Sequence, residues 1–387
     1  MSTTEKITST KIAIRDDSST ILVSFELSQS SWVLTIRLPG NEKMSRHSVK
    51  AGDTGRVSEL LAQQRAKAQR VADGPVRIVT IYEAGLDGFW LHRWLCAREI
   101  ESHVVDAASI AAPRRKRRAK SDGIDGEVLV RTLAAWCRGE PRVCSMVVPP
   151  TPEEEDRRRI GRERARLVEE RTALTNRING LLVNQGITGY RPLKRDSRAR
   201  LTELRTGDGR VLASRLHTEI VRMLDRLDLL MRQIKQVEAE RDALLAKEAQ
   251  DATSPIALLL QLRGIGPEFA VSLGLECFWR TFGNRRQIGA FFGLAPTPWR
   301  SGSLQREQGI GKAGRPRLRE LMIEAAWLWL RYQPDSALSQ WFRAKVGDAK
   351  GRIKRIAIVA LARKLLVALW RFVTQGVVPE RAIVKAA

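Results

Sequence analysis

Residues 76–83 read VRIVTIYE. Apart from Arg77, the first seven are β-branched or aromatic, the composition of a strand buried on both faces. The stretch follows the turn signal Asp73-Gly74-Pro75 and runs straight into a carboxylate, Glu83. An acid at the end of such a strand is costly if it is buried without a partner. Upstream, TILVSFELSQSSWVLTIRL (20–38) divides into two strands about a short polar turn, and MSRHSVK (44–50) supplies a third. SELLAQQRAKAQRVA (58–72) has the spacing of an amphipathic helix. Downstream come a helix containing FWLHRWLCARE (89–99), a strand SHVVDA (102–107) and a helix DGIDGEVLVRTLAAWC (122–137), with Ser121 as its N-cap candidate. Three strands, helix, strand, helix, strand, helix predicts an α/β domain over residues 1–150.

The chain has 387 residues, a length that predicts two or three domains. Hydrophobic residues make up 43%, enough for sizeable cores, and a net charge of +24 points to nucleic acid as the partner. No apolar run approaches the roughly 20 residues of a membrane span, and MSTTEKITSTK at the N-terminus lacks the apolar core of a signal peptide. Cys96, Cys137, Cys144 and Cys277 form no CxxC pair, which argues against a disulfide framework or zinc site and fits a cytoplasmic location.

Residues 151–252 differ in character. Segments 153–184 and 214–249 are charged and helix-prone, and Ile220, Leu227 and Ile234 stand seven apart. That spacing suits a coiled-coil linker or helical hairpin, and equally two amphipathic helices of a bundle. Between them, GYRPLKRDSRARLTELRTGDGR (189–210) reads as an exposed basic loop. Residues 253–387 read as a mostly α-helical domain. Within it Gly264 and Gly266 form a turn between two apolar helices, which either offers N–H groups to a phosphate or simply turns the chain tightly. FFGLAPTPWRSGSLQREQGIGKAGRPRLRELM (291–322) reads as a basic loop leading into a helix; its glycine spacing is not that of a Walker loop.

Residues 114–127, RRKRRAKSDGIDGE, pose a question of charge. Arg114, Arg115, Lys116, Arg117, Arg118 and Lys120 would hold a nucleic-acid backbone, yet Asp122 and Asp125 follow at once. Residues three apart on a helix share a face, and that face would meet the strands carrying Glu26 and Glu83. Converging carboxylates repel one another unless a cation neutralises them. Mg²⁺ suits oxygen ligands and keeps positions open for phosphate oxygens, and one or two such ions about 4 Å apart serve phosphoryl transfer. The local alternative is that Asp122 and Asp125 favour the helix dipole by about 0.3–1 kcal/mol each. His92 and His103 sit in apolar or mixed contexts and read as structural.

The element order is that of the ribonuclease-H-like fold. VSFELSQSSWVLTI, VTIYEAGLDGFWLHRWL and RRAKSDGIDGEVLVRTL, with the C-terminal LRGIGPEFAVSLGLE and the 291–322 segment, resemble in order the motifs of the DEDD insertion-sequence transposases. The resemblance implies a RuvC-like N-terminal domain whose acids Glu26, Glu83, Asp122 and Asp125 bind Mg²⁺. The family's first acid is usually Asp, and Glu26 departs from that pattern. It further implies a nucleophilic serine at Ser301, with Ser303 as the alternative register. Arg300, Arg306, Lys312, Arg315 and Arg317 would flank that serine and hold phosphates. The partners implied are donor and target DNA, a guide (bridge) RNA and further copies of the chain in a dimer or tetramer. Two readings compete with a serine recombinase: a RuvC-like nuclease that uses water, and a non-catalytic basic nucleic-acid-binding protein.

Overall fold

The computed structural model describes residues 19–72, 74–85, 88–110, 122–301, 304–311 and 314–385. The chain divides into two compact units, Met1–Pro150 and Thr151–Ala387.

The first unit is built on β1 (Thr20–Leu27), β2 (Ser31–Arg37), β3 (Met44–Lys50), β4 (Arg77–Glu83), β5 (Glu101–Val105) and the short β6 (Met146–Val147). They form one mixed sheet in the order β3-β2-β1-β4-β5-β6. β1, β4 and β5 run parallel, and the outer strands pair antiparallel. Helices α1 (Thr54–Gln69), α2 (Trp90–Cys96) and α3 (Asp122–Cys137) complete the unit. Alternation along β1 sends Ile21, Val23 and Phe25 into a core with Val57, Leu60 and Leu61 of α1 and Leu91 and Leu95 of α2. Leu22 faces the other way and joins Val79 and Ile81 of β4 beneath Leu129, Val130 and Leu133 of α3. Burial on both faces explains the unbroken β-branched run of β4.

The second unit opens with α4 (Pro152–Arg157), whose Thr151–Glu154 capping box closes its N-terminus. α5 (Arg159–Val183) and α7 (Ser214–Glu248) pack antiparallel: Ile178 and Leu182 near the end of α5 meet Ile220, Met223, Leu224 and Leu227 near the start of α7. At the opposite end Arg164 pairs with Glu238. Residues 189–210, expected to be an exposed loop, fold back instead. They carry α6 (Ser197–Glu203), and Tyr190 and Leu201 are buried in the same core. The two apolar side chains, spaced among basic ones, outweigh the loop-like composition.

The last part comprises α8 (Pro255–Gln261), α9 (Pro267–Leu273), a π-helical turn (Gly274–Phe278), α10 (Arg285–Phe291), α11 (Pro316–Tyr332), α12 (Ala337–Val346) and α13 (Arg352–Gln375). Leu245 of α7 enters their core, which centres on the fully buried Trp329 and on Leu361, Leu365 and Leu369 of α13. Between α10 and α11 the chain forms two strands, β7 (Pro296–Ser301) and β8 (Leu304–Ile310), paired antiparallel. The expected loop over 291–315 is therefore a β-hairpin. Its prolines and glycines mask a strand pattern that only pairing makes visible.

Candidate active site

Glu26 is the penultimate residue of β1 and Glu83 the last of β4. In the parallel pairing of these strands Phe25 lies opposite Tyr82. Phe25 and Tyr82 both enter the core on the α1–α2 side, so Glu26 and Glu83, one step further along, sit side by side on the α3 face. Asp125, in the first turn of α3, is exposed. Glu26, Glu83 and Asp125 line a single pocket of about 370 Å³, together with Ser28, Ser31 and Gly85. Thus three of the acids singled out in the sequence come to one place. The fourth, Asp122, opens α3, but its side chain lies outside what the structure describes. The basic run Arg114–Lys120 also lies outside the described residues.

What holds α3 against the strand ends is a contact that sequence reasoning did not single out. The buried Ser24 hydroxyl donates to the carbonyl of Gly126 at 2.9 Å. A Cβ on Gly126 would lie 2.5 Å from Glu26 Oε1 and would also run into the Thr35 hydroxyl. Only glycine lets this turn of helix approach β1 and β2 so closely, which brings Asp125 to the pocket. The signal was the second glycine of DGIDGE. On the outer side Arg46 donates to Glu127 at 2.7 Å, tying the same turn to β3.

Carboxylate oxygens alone suit a hard divalent cation. The close seat at Gly126 keeps Glu26 Oε1 beside the start of α3. Among the described residues no group of three or more His, Cys, Asp or Glu could hold a metal ion; Glu26, Glu83 and Asp125 are the carboxylates that line this pocket.

Ser301 is the last residue of β7 and pairs with Leu304, so it stands at the turn of the hairpin. Its side chain, and those of Arg300 and Arg306 along the same strands, lie outside what the structure describes, as do Ser303 and Lys312 altogether. The hairpin's other end is pinned. Gly311 N–H donates to Ala295 O at 2.7 Å, and Arg315 N–H to Phe291 O at 3.1 Å. Gly293 adopts φ +63°, and a Cβ on Gly314 would come within 2.5 Å of Ala290 O. Arg315 and Arg317 consequently sit at the base of the hairpin and the start of α11, not beside Ser301. With about 3.4 Å per residue, a strand such as β8 carries the serine roughly 20 Å from that base. Gly264, at φ +90°, packs against the Tyr332 side chain, and Gly266 is the N-cap of α9. His103 bonds Glu101 at 2.9 Å and packs on Trp136.

The profile of the transposase IS116/IS110/IS902 family matches residues 256–340, a span that holds the hairpin and the whole of α11. Over 382 residues the chain is 56% identical to "Putative transposase y4rJ" of Sinorhizobium fredii, covering 96% of each. The chain belongs to the IS116/IS110/IS902 family of transposases. Similarity extends to the transposase for insertion sequence element IS1328 of Yersinia enterocolitica, 29% identical over 67% of this chain and 73% of that one. It also extends to the transposase for insertion sequence element IS1111A of Coxiella burnetii, 30% identical over 58% and 60%. The transposase thus acts on DNA, for which its net charge of +24 is suited. No helix among its described residues is long and apolar enough to cross a membrane.

Proposed function

We propose that this transposase cuts and rejoins donor and target DNA through a RuvC-like carboxylate centre and the nucleophile Ser301, directed by a bridge RNA. The observation that carries the metal centre is the adjacency of Glu26 and Glu83 on neighbouring parallel strands, in one pocket with Asp125. Two carboxylates side by side, with a third lining the same pocket, offer the oxygen donors that a hard divalent cation takes. Bound there, Mg²⁺ supplies positive charge for a phosphate's non-bridging oxygens. Asp122, three residues before Asp125 in α3, would be the fourth residue to hold the cation. Glu26, longer by a methylene than the aspartate usual in the resembling family, would hold it too, and Gly126 leaves room for its carboxylate.

Ser301 performs the covalent step. Its Oγ bonds to the scissile phosphorus as the bond from phosphorus to the leaving deoxyribose oxygen breaks. The serine proton passes to solvent or a nearby base, and the leaving oxygen takes up a proton to become a free hydroxyl. The phosphoserine ester keeps the energy of the broken bond, and a hydroxyl from the second strand reverses the step to join it. Guide RNA, donor DNA and target DNA together supply the polyanion that the net charge of +24 matches, and a dimer or tetramer of the chain brings the strands together.

The test is a strand-exchange assay on purified protein with Mg²⁺, its RNA and DNA substrates. Ser301→Ala is expected to lose exchange and the covalent protein–DNA adduct while retaining nucleic-acid binding. Full exchange in that variant, or cleavage with no adduct in the parent protein, would replace the serine by water as the nucleophile. A discrete RNA co-purifying with the protein is expected; random fragments would remove the guide.

A further inference from the structure

Around the π-helical turn of the second unit, one arginine stands apart from the hydrogen bonding. The buried carboxylate of Glu276 is bonded by Arg162 at 2.6 and 2.8 Å and by Arg315 and Arg317 at 3.3 Å each. Arg158, at the junction of α4 and α5, takes no part in those bonds. It is only 5% exposed, and its Nη2 is buried with no hydrogen-bond partner. Its guanidinium lies over the Trp279 ring, 4.0 Å from the centroid, and the indole is held in turn by a bond from Nε1 to Glu276 O at 3.3 Å. Burial pulls the Arg158 pKa below the ordinary guanidinium value; Glu276 and Glu154 act against that shift, and Arg162 and Arg315 with it. Opposite charge is therefore at hand. What the group lacks is an acceptor, and a buried N–H without one is costly.

Arg158 and Trp279 line a pocket of about 150 Å³, a volume that takes one aromatic ring. Ile256 of α8 and Leu275 of the π-turn give it apolar walls. Its charged lining is balanced. Arg157 pairs with Glu248, which also accepts from the Ser254 hydroxyl at 2.5 Å, and Glu154 accompanies Arg158. Two arginines and two glutamates favour neither a phosphate nor a metal ion. Apolar walls, donors from Arg158 and an acceptor from Glu154 suit a neutral planar ring that carries acceptor atoms beside an amino group.

We propose that this pocket holds a single unpaired pyrimidine base, cytosine, of a bound nucleic acid. The inference rests on the reading of the chain as a nucleic-acid enzyme, and adds to it a site that reads a base. Cytosine O2 and N3 accept from the guanidinium fork of Arg158, and its N4 amino group donates to Glu154. Thymine and uracil present an N–H where cytosine has its N3 acceptor, and the second ring of a purine exceeds the space. A base read on this edge must leave its stack, as bases in loops and opened strands do.

The test is equilibrium dialysis of the full-length protein, freed of nucleic acid, against 2′-deoxycytidine, cytidine, thymidine and 2′-deoxyguanosine. These nucleosides are uncharged, so the net charge of +24 does not draw them. Saturable binding of 2′-deoxycytidine is expected, about 10-fold tighter than that of thymidine or 2′-deoxyguanosine. Arg158→Met keeps a long stem over Trp279 and removes the donors, and should weaken that binding by about 10-fold or more. Leu275→Trp fills the pocket with Arg158 intact and should abolish it; this variant decides the matter if Arg158→Met does not fold. A preference between 2′-deoxycytidine and cytidine names DNA or RNA as the source of the base. Absence of saturable binding, equal affinity for every nucleoside, or binding that the folded variants leave unchanged overturns the base site and makes water the acceptor that Arg158 uses. None of these measurements involves Ser301 or Mg²⁺, so failure of the pocket and failure of the serine mechanism give separate results.

Discussion

The strand ends of the first unit and the π-turn of the second both gather charged side chains, and they differ in how far those side chains are sealed from water. At the strand ends, Glu26, Glu83 and Asp125 line an open pocket. At the π-turn a sealed Glu276 is outnumbered by arginines that still face water. The first gathers carboxylates at a pocket open to solvent, and the second joins one buried carboxylate to three arginines. The lesson is that burial, more than the number of charges, decides how much such a cluster contributes to the fold.

The comparison breaks most visibly at the strand ends. Glu83→Gln keeps the shape and removes one anion, and its strand exchange is expected to fall at least ~10³-fold, about 4 kcal/mol of transition-state stabilisation. Duplex binding at fixed salt should hold or tighten slightly. Binding assays beside exchange assays check this, and a parallel loss of both would make Glu83 structural. Fewer anions in the pocket should also raise the Mg²⁺ concentration needed for half-maximal exchange in Asp125→Asn, a readout separate from folding.

At the π-turn the expected effect is on stability and on its pH dependence. Removing one member of a buried, hydrogen-bonded ion pair costs roughly 3–5 kcal/mol, and partial exposure of the arginines places Glu276→Gln at the low end. Glu276 has its folded pKa depressed, so its stabilisation is fully present above the ordinary carboxylate value and is lost as pH falls through the lowered folded value. The gap in denaturant midpoint between parent and Glu276→Gln should therefore be full at pH 7 and narrow only as pH falls below the ordinary carboxylate range. A gap independent of pH would mean that the glutamine packs badly and that charge is not the cause.

These two clusters were unequally legible in the sequence. Glu83 stood out because a carboxylate ends an otherwise apolar, β-branched strand, and α3 begins at Asp122 as its DGIDGE start and Ser121 suggested. Parallel pairing at a fixed register then put Glu26 next to Glu83, which no local pattern encodes. Glu276 lay hidden in LGLECF, where an acid between Leu275 and Cys277 reads as an interruption of a helix. Its partners stand 114 and 39 residues away in sequence. The hairpin was missed for a related reason: Pro296, Pro298 and Gly309 suppress the strand signal, and antiparallel pairing of β7 with β8 restores it. Gly126 shows the same limit. A glycine in a helix start is unremarkable until the strand beneath it is known.

That glycine sharpens the comparison further, because it tests closeness without touching charge. In Gly126→Ala the new Cβ meets Glu26 Oε1 and Thr35 in a buried contact between helix and sheet. Overpacking of this kind costs about 1–3 kcal/mol, offset by up to ~1 kcal/mol from better helix propensity. A drop of several degrees in melting temperature with a disproportionate loss of exchange is expected, since Asp125 moves away from the strand ends. Loss of exchange in proportion to unfolded protein would leave the helix position without a catalytic role.

The smallest effect belongs to a third set of charges, which serves as the control. On the α6–α7 surface Arg198 donates to Asp225 at 2.8 Å and to Asp228 at 2.6 Å. The geometry rivals that around Glu276, but here both aspartates are 59% exposed and the arginine 46%. Water already solvates each partner, so the pair replaces one good environment with another, and exposed pairs contribute at most ~1 kcal/mol. Arg198→Ala should shift the denaturant midpoint by no more than that, with the difference vanishing in high salt as screening takes over. A shift as large as that of Glu276→Gln would show that proximity, rather than burial, sets the strength of these ion pairs. The contrast between sealed and open charge would then fail as a guide to what each cluster contributes to the fold.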